Sequence, residues 1–313
     1  MSQTPRYFYG PVPSRRLGYS LGVDLFPAKT CSFDCIYCQL GVCAHKTIRR
    51  LSCVDMHVLR RQLSALLEKT EHIDYITLSG SGEPTLHKNL DEIIRTIKDV
   101  SKNRYPVCVI TNSSLLYRKK VRDELREADL IIPSLDAARV ATFRTLNRPA
   151  PGLSLDKIIK GLIALRREYD KAIWLEVMLV AGVNDSPAEA RALRRAIERI
   201  KPEKVQLNLP VRPSAAKAGI PPLDRIQAIE KILNSVKGVE VVTDFKARHS
   251  MKKYPDYAEK SLLKLLSIRP VSEPDLRKIS GLSRERLKKL LDRLEKKGTL
   301  RTETHGNQKY FTA

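Results

Sequence analysis

Three cysteines lie within eight residues, Cys31-Ser-Phe-Asp-Cys35-Ile-Tyr-Cys38, in a C-x3-C-x2-C spacing. The chain has six cysteines, so half of its thiols sit in one short stretch. Thiolates grouped in this way read as a metal site. Three are one too few to close a tetrahedral zinc site or to saturate a four-iron cluster. One coordination position is left for a fourth protein ligand or for a bound substrate. Cys43 and His45 are the candidates to complete a zinc tetrahedron, which is the rival chemistry. Cys53 and Cys108 read as structural thiols.

A second stretch, Ser79-Gly80-Ser81-Gly82-Glu83-Pro84-Thr85, combines glycines that let backbone approach a ligand with a carboxylate suited to a cationic group such as an amine. Thr111-Asn112-Ser113 and Ser134-Leu135-Asp136 add short polar side chains fit for a ligand bearing several hydroxyls. Each stretch is generic alone; their order along the chain is the specific signal.

The elements that position them alternate. Strands are expected at Leu21–Phe26, Ile73–Leu78, Val107–Thr111, from Leu130 to Ser134, and at Ile173–Val180, Lys204–Leu209 and Val239–Val242. Helices are expected at Asp55–Lys69, Leu90–Lys102, Arg118–Ala128, Leu155–Tyr169, Pro187–Ile200 and Asp224–Ser235. About six β-α units in series predict an α/β fold with a parallel sheet and helices outside. The length favours a partial (βα)6 barrel over a closed eight-unit one. The cysteine stretch and the polar stretches all follow strands, so they belong at the C-terminal ends, where such barrels place their chemistry. The segment Tyr7–Gly18, rich in Gly and Pro, is expected as an ordered loop, with Arg15 and Arg16 available to a carboxylate or phosphate.

The chain divides into a core at 1–245, a basic linker at 246–257 and a compact unit at 258–313. In the last unit, Ser272 and Ser283 are expected to cap two helices, and strands flank His305-Gly306-Asn307 as a hairpin. Three helices and a two-stranded wing predict a winged helix-turn-helix. From Lys260 onward, 14 Lys and Arg face 6 Asp and Glu, with Arg284, Arg286, Lys288, Lys289, Arg293, Lys296 and Lys297 on or near the third helix. This helix reads as a groove-binding element for RNA or DNA, or as a charged face of a protein-docking module. The whole chain carries 57 Lys and Arg against 35 Asp and Glu, a charge of +22 that favours polyanion partners. No apolar run spans a bilayer and no signal-peptide pattern opens the chain, so a cytoplasmic protein without a membrane partner is expected.

From residue 15 to residue 245 the order of motifs resembles the radical S-adenosylmethionine (SAM) superfamily. The cysteine triad matches its signature, with Tyr37 in the aromatic place before the last cysteine. Ser81-Gly82-Glu83-Pro84 is similar to its G-G-E-P element, with Ser for the first glycine. The resemblance implies that Cys31, Cys35 and Cys38 ligate three irons of a [4Fe–4S] cluster and that SAM chelates the fourth. It implies SAM contacts at Tyr37, Ser81, Gly82, Glu83, Thr111, Asn112, Ser134 and Asp136. Glu176, Met178, Gln206 and Asn208 are implied to face SAM or substrate. The implied reaction starts with an electron from a flavodoxin- or ferredoxin-type donor. SAM is then cleaved to a 5′-deoxyadenosyl radical that abstracts hydrogen from a substrate.

Phe8-Tyr-Gly-Pro-Val-Pro-Ser-Arg-Arg-Leu-Gly18, Pro133-Ser-Leu-Asp-Ala137 and Asn147-Arg148-Pro149 resemble Fe–S oxidoreductases related to the wyosine-forming tRNA enzyme. That enzyme carries a second cluster on cysteines upstream of the triad; here none precedes Cys31. The expected substrate is RNA, with a protein or small molecule as the alternative and a zinc-containing transcription regulator as the reading from another class. Anaerobic purification separates iron from zinc. A brown protein with about four irons per chain is expected, whereas colourless zinc protein would exclude the cluster.

Overall fold

The computed structural model describes residues 5–70, 72–214, 216–236, 238–242, 259–280, 282–305 and 308–313. The segment expected as an N-terminal loop is a strand, β1 (Phe8–Ser14), paired antiparallel with β2 (Gly18–Val23). Pro11 and Pro13 are tolerated because β1 is an edge strand, and the register shifts between Tyr9 and Val12. Leu25 and Phe26, expected within the first strand, lie beyond the end of β2 but are buried in the core.

From β2 onward the sheet is parallel: β3 (Tyr75–Leu78), β4 (Val107–Thr111), β5 (Leu130–Pro133), β6 (Ala172–Met178), β7 (Lys204–Asn208) and β8 (Val239–Val241), in sequential order. The crossovers carry α1 (Met56–Leu67), α2 (Leu90–Ser101), α3 (Lys119–Glu124), α4 (Val140–Asn147), α5 (Leu155–Glu168), α6 (Pro187–Ile200) and α7 (Leu223–Leu233). Helical spacing explains their packing: Ile93, Ile94 and Ile97 share the buried face of α2, and Leu59 and Leu63 that of α1. Ser154 and Ser186 cap α5 and α6 by accepting from Lys157 N and Glu189 N, both at 3.3 Å.

The sheet curls without closing. Arg15 and Arg16, in the turn between β1 and β2, reach Asn208 on β7 and Glu176 on β6. Those two bonds bridge the interior between the two ends of the sheet. One helix escaped the sequence reading. α4 has Phe143 and Leu146 buried but Val140 exposed, so its apolar signal is only two residues long.

The C-terminal residues form α8 (Glu259–Ile268), β9 (Val271–Ser272), α9 (Glu273–Ser280), α10 (Arg284–Lys296), β10 (Arg301–His305) and β11 (Gln308–Thr312). The three strands make an antiparallel sheet in the order β9-β11-β10, one strand more than expected. The expected caps form: Ser272 accepts from Asp275 N at 3.4 Å and Ser283 from Arg286 N at 3.3 Å. The expected linker at 246–257 and the turn residues 306–307 lie outside the described residues. Leu262, Leu265, Leu266, Leu276, Leu287 and Phe311 pack in one cluster with Tyr9 and Val12 of β1. The unit therefore shares a core with the edge of the sheet. Among the described residues, no helix is long and apolar enough to cross a membrane.

A polar contact reinforces this junction. The buried Asp24 carboxylate accepts from Ser81 N at 2.7 Å, Ser81 Oγ at 2.8 Å and Lys264 Nζ of α8 at 2.5 Å. Replacing Asp24 strands three donors, whereas replacing Lys264 leaves the carboxylate two partners. Asp24→Ala is therefore expected to cost about 3–5 kcal/mol, and Lys264→Met only about 1–2 kcal/mol. Equal losses in urea unfolding would show that the Ser81 contacts contribute nothing.

Candidate active site

The cysteine stretch is fastened to the loop after β3 by backbone. Thr30–Cys31 pairs parallel with His45–Lys46, and Thr30 also bridges Gly82. Thr30 N donates to Ser81 O at 3.0 Å, and Glu83 N donates to Thr30 O at 3.0 Å. A Cβ at residue 82 would stand 2.0 Å from Thr30 O, so this approach requires glycine. Residue 81 is different. Its carbonyl makes the Thr30 contact and its hydroxyl reaches Asp24, so Ser in place of Gly adds an anchor.

On the opposite side, α4 holds the cysteines. Asp34 N donates to Asn147 O and Ile36 N to Leu146 O, both at 3.0 Å. Two asparagine amides reach sulfur: Asn112 Nδ2 donates to Cys31 Sγ at 3.3 Å and Asn147 Nδ2 to Cys35 Sγ at 3.4 Å. Each amide is also tied elsewhere, Asn112 to Ser32 Oγ at 2.9 Å and Asn147 to Asp136 Oδ2 at 2.8 Å. Burial, and then the Glu83 carboxylate, push the Cys31 thiol up to about 12. Burial and Asp136 push Cys35 well above the usual thiol range. These thiols deprotonate only when a cationic centre compensates the buried charge, which is what a metal cluster provides.

Cys31, Tyr37, Cys38, Gly82, Glu83, Thr111, Asn112 and Ser134 line one cavity of about 370 Å³, together with Glu176, Met178 and Asn208. The Glu83 carboxylate is saturated: Oε1 accepts from Thr85 N at 3.1 Å, Thr85 Oγ1 at 2.6 Å and Thr111 Oγ1 at 2.5 Å, while Oε2 accepts from Asn112 N at 2.6 Å. It ties the ends of β3 and β4 together while presenting negative charge to the cavity.

Cys35, Ser81, Asp136 and Gln206 are not among the lining residues. Asp136 lies beneath the cavity. It accepts from Tyr37 Oη at 2.5 Å, from Asn147 Nδ2 and, through Oδ1, from Met178 N at 2.9 Å. Burial raises its carboxyl to about 6 against those hydrogen bonds. Asp136 thus orients Tyr37 and Asn147; the resemblance implied a SAM contact for it. Glu176 is paired with Arg16 and also accepts from Asn208 Nδ2 at 3.1 Å.

The zinc tetrahedron does not form. Among the described residues no three His, Cys, Asp or Glu side chains gather as one metal ion requires. His45 is exposed, and Cys43 Sγ lies 3.9 Å from the Lys29 and Cys31 carbonyls. A four-iron cluster spreads its thiolates over three separate metals, so the same loop suits it. Sequence reasoning missed Asn147 as a sulfur partner because α4 was not foreseen. It also missed Arg212 and Arg269 in the lining, and no spacing signal in the chain marks either.

A model of the Radical SAM superfamily matches residues 25–193. A protein named GTPase Obg from Brachyspira hyodysenteriae is 37% identical over 310 residues, 96% of this chain. The chain spans only 44% of that protein's length. A UPF0026 protein from Methanocaldococcus jannaschii is 33% identical, over 88% of this chain and 86% of its own length. The dual-specificity RNA methyltransferase RlmN of Sorangium cellulosum is 29% identical over 65% of this chain and 52% of its own length.

Gly82→Ala tests the fastening of the two loops. Its Cβ would meet backbone that cannot yield as a side chain does, so a loss of about 1–3 kcal/mol is expected in thermal unfolding. Iron retention should fall with it. A variant with wild-type stability would show that the Thr30–Gly82 approach is not required.

Proposed function

Because the chain belongs to the radical SAM superfamily, an enzyme superfamily that uses a [4Fe–4S] cluster and SAM, we propose that Cys31, Cys35 and Cys38 hold the cluster and that the substrate is an RNA. The observation that carries the site is the convergence of two of these cysteines, Glu83, Thr111 and Asn112 on one cavity at the C-terminal ends of the strands. When bound, the cluster and SAM supply reductive SAM cleavage and hydrogen-atom abstraction.

The chain's own residues bind and orient. Asn112 and Asn147 direct amide N–H groups at two sulfurs, which stabilises negative charge there and tunes the reduction potential. Gly82 exposes backbone to the SAM amino group beside the Glu83 charge, and Ser134 offers a hydroxyl toward ribose, while the Thr111 hydroxyl is spent on holding Glu83. Asp136 and Ser81 act one layer back, through Tyr37 and Asp24. The electron comes from a flavodoxin- or ferredoxin-type donor.

RNA is favoured by charge and by position. We read the C-terminal unit as a winged helix-turn-helix with α10 as the recognition helix. Arg284, Arg286, Lys288, Lys289, Arg293, Lys296 and Lys297 are all exposed on or just beyond it. The relative named as an RNA methyltransferase supports the same substrate class. The shared core with β1 places this basic surface on the same body as the cavity mouth.

Two measurements test this. Cys35→Ala should lose iron and 5′-deoxyadenosine formation together. Neutralising Arg284, Lys288 and Lys289 to Gln should weaken RNA binding about tenfold and flatten its salt dependence, with iron content intact. RNA binding that ignores these changes would leave α10 as a protein-docking face.

A further inference from the structure

The outside of the cysteine loop carries a surface that the cavity does not use. Residues 39–51 and 137–152 flank the loop and contain Lys and Arg but no Asp or Glu. Hydrogen bonds fold both stretches against it. Gly41 N donates to Cys38 O at 3.4 Å, Cys43 N to Asp34 Oδ1 at 2.7 Å and Thr47 N to Cys31 O at 2.9 Å. From the other flank, Ala150 N donates to Ser32 O at 2.8 Å, beside the Leu146 and Asn147 contacts of α4. A Cβ on Gly152 would lie 3.5 Å from Ile48 Cδ1, so the two flanks touch there.

Two cations of these stretches are paired with acids, Arg50 with Glu124 and Arg139 with the buried Glu189. Lys46, Arg49, Arg144 and Arg148 are exposed. Val140, Arg144 and Arg148 follow at four-residue spacing along one face of α4 to its C-cap, while Asn147 holds Cys35 from another face. Val42 is 75% exposed and Val140 55%, two of the four large apolar side chains so placed among the described residues. Lys29, Cys38, Gln39 and Leu40 line the cavity, but these exposed cations and valines do not.

A cationic surface with apolar residues set into it fits an anionic protein whose contact face is partly apolar. It fits a nucleic acid less well, because the valines would find no partner on a phosphate backbone. Position narrows the partner further. Electron transfer slows steeply with distance, and this surface is built on the cysteine loop itself and on the helix that holds it. We propose that Val42, Lys46, Arg49, Val140, Arg144 and Arg148 form the docking surface for a small acidic one-electron carrier protein. This surface serves the cluster proposed above and rests on that reading. The donor loses one electron and the cluster gains one; no bond forms or breaks. SAM and substrate keep the cavity, so the donor does not compete with them. Complexes of this kind bury little area and depend on charge steering for their rate.

The test uses the full chain with its cluster, kept anaerobic, and follows the loss of cluster colour by stopped flow. Two acidic donors are used, a reduced flavodoxin and a reduced ferredoxin, beside photoreduced deazariboflavin as a small neutral donor. Wild type should be reduced by at least one of the two proteins. A variant combining Lys46→Gln, Arg49→Gln, Arg144→Gln and Arg148→Gln should be reduced by that protein about tenfold more slowly. Added salt should slow wild type steeply and this variant little. Val42→Asp should slow the protein donor on its own. Deazariboflavin should reduce every variant at the wild-type rate. Iron content and unfolding temperature should also match wild type, because the altered side chains are exposed. Arg284→Gln on α10 should leave the protein donor's rate unchanged.

Three results overturn the docking surface while leaving the cluster in place: equal protein-donor rates for wild type and the fourfold variant, reduction of wild type by deazariboflavin but by neither protein, or lost oligoribonucleotide binding in the fourfold variant with protein-donor reduction intact. The last result would assign the surface to RNA. Wild-type protein without iron overturns the cluster, and the docking surface with it.

Discussion

The close approach of Thr30 to Gly82 is the constraint from which the site is built. Two backbone hydrogen bonds clamp Thr30 between Ser81 and Glu83, and no side chain fits between the strands at residue 82. With that clamp in place, Cys31 hangs directly beside the end of β3. Glu83 then reaches Thr111 and Asn112 at the end of β4, and Asn112 reaches back to Cys31. The chain of contacts closes on itself. The cysteine loop is thus held by hydrogen bonds from the ends of β3 and β4.

A parallel arrangement supports the far side of the triad. Asp136 leaves the end of β5 and gathers Tyr37, Asn147 and the backbone of Met178. Asn147 in turn holds Cys35 and the backbone of Asp34. Buried, hydrogen-bonded carboxylates thus serve both halves of the cysteine loop, Glu83 from one side and Asp136 from the other. Among the described residues neither is paired in a salt bridge. Their charge remains in the site, which raises the free thiols and makes a cationic cluster the natural counterpart.

Basic residues do different work at the two ends of the molecule. On α10 they are exposed. In the cavity they are enclosed, and Arg16 meets the Glu176 carboxylate. The junction at Asp24 and Lys264 links these regions, since the same carboxylate holds Ser81 of the cofactor loop and α8 of the C-terminal unit.

Much of this was legible in the chain. Period-2 and period-3.6 patterns are local, so the seven parallel strands from β2 onward and most helices could be read, and the expected caps Ser272 and Ser283 act on residues three positions away. Cysteine spacing is also local, and it marked the candidate metal site. The misses follow the same logic. β1 was hidden by prolines that only an edge position tolerates, and α4 by a two-residue apolar signal. What the sequence by itself determined was the order of elements and the identity of the cysteine loop. Only the tertiary structure decided which polar groups line the cavity. Asp136 turned inward, Glu176 met Arg16, and Arg212 and Arg269 came together from segments far apart in the chain. Those outcomes depend on how the curled sheet closes space between distant residues, and no local periodicity encodes that distance.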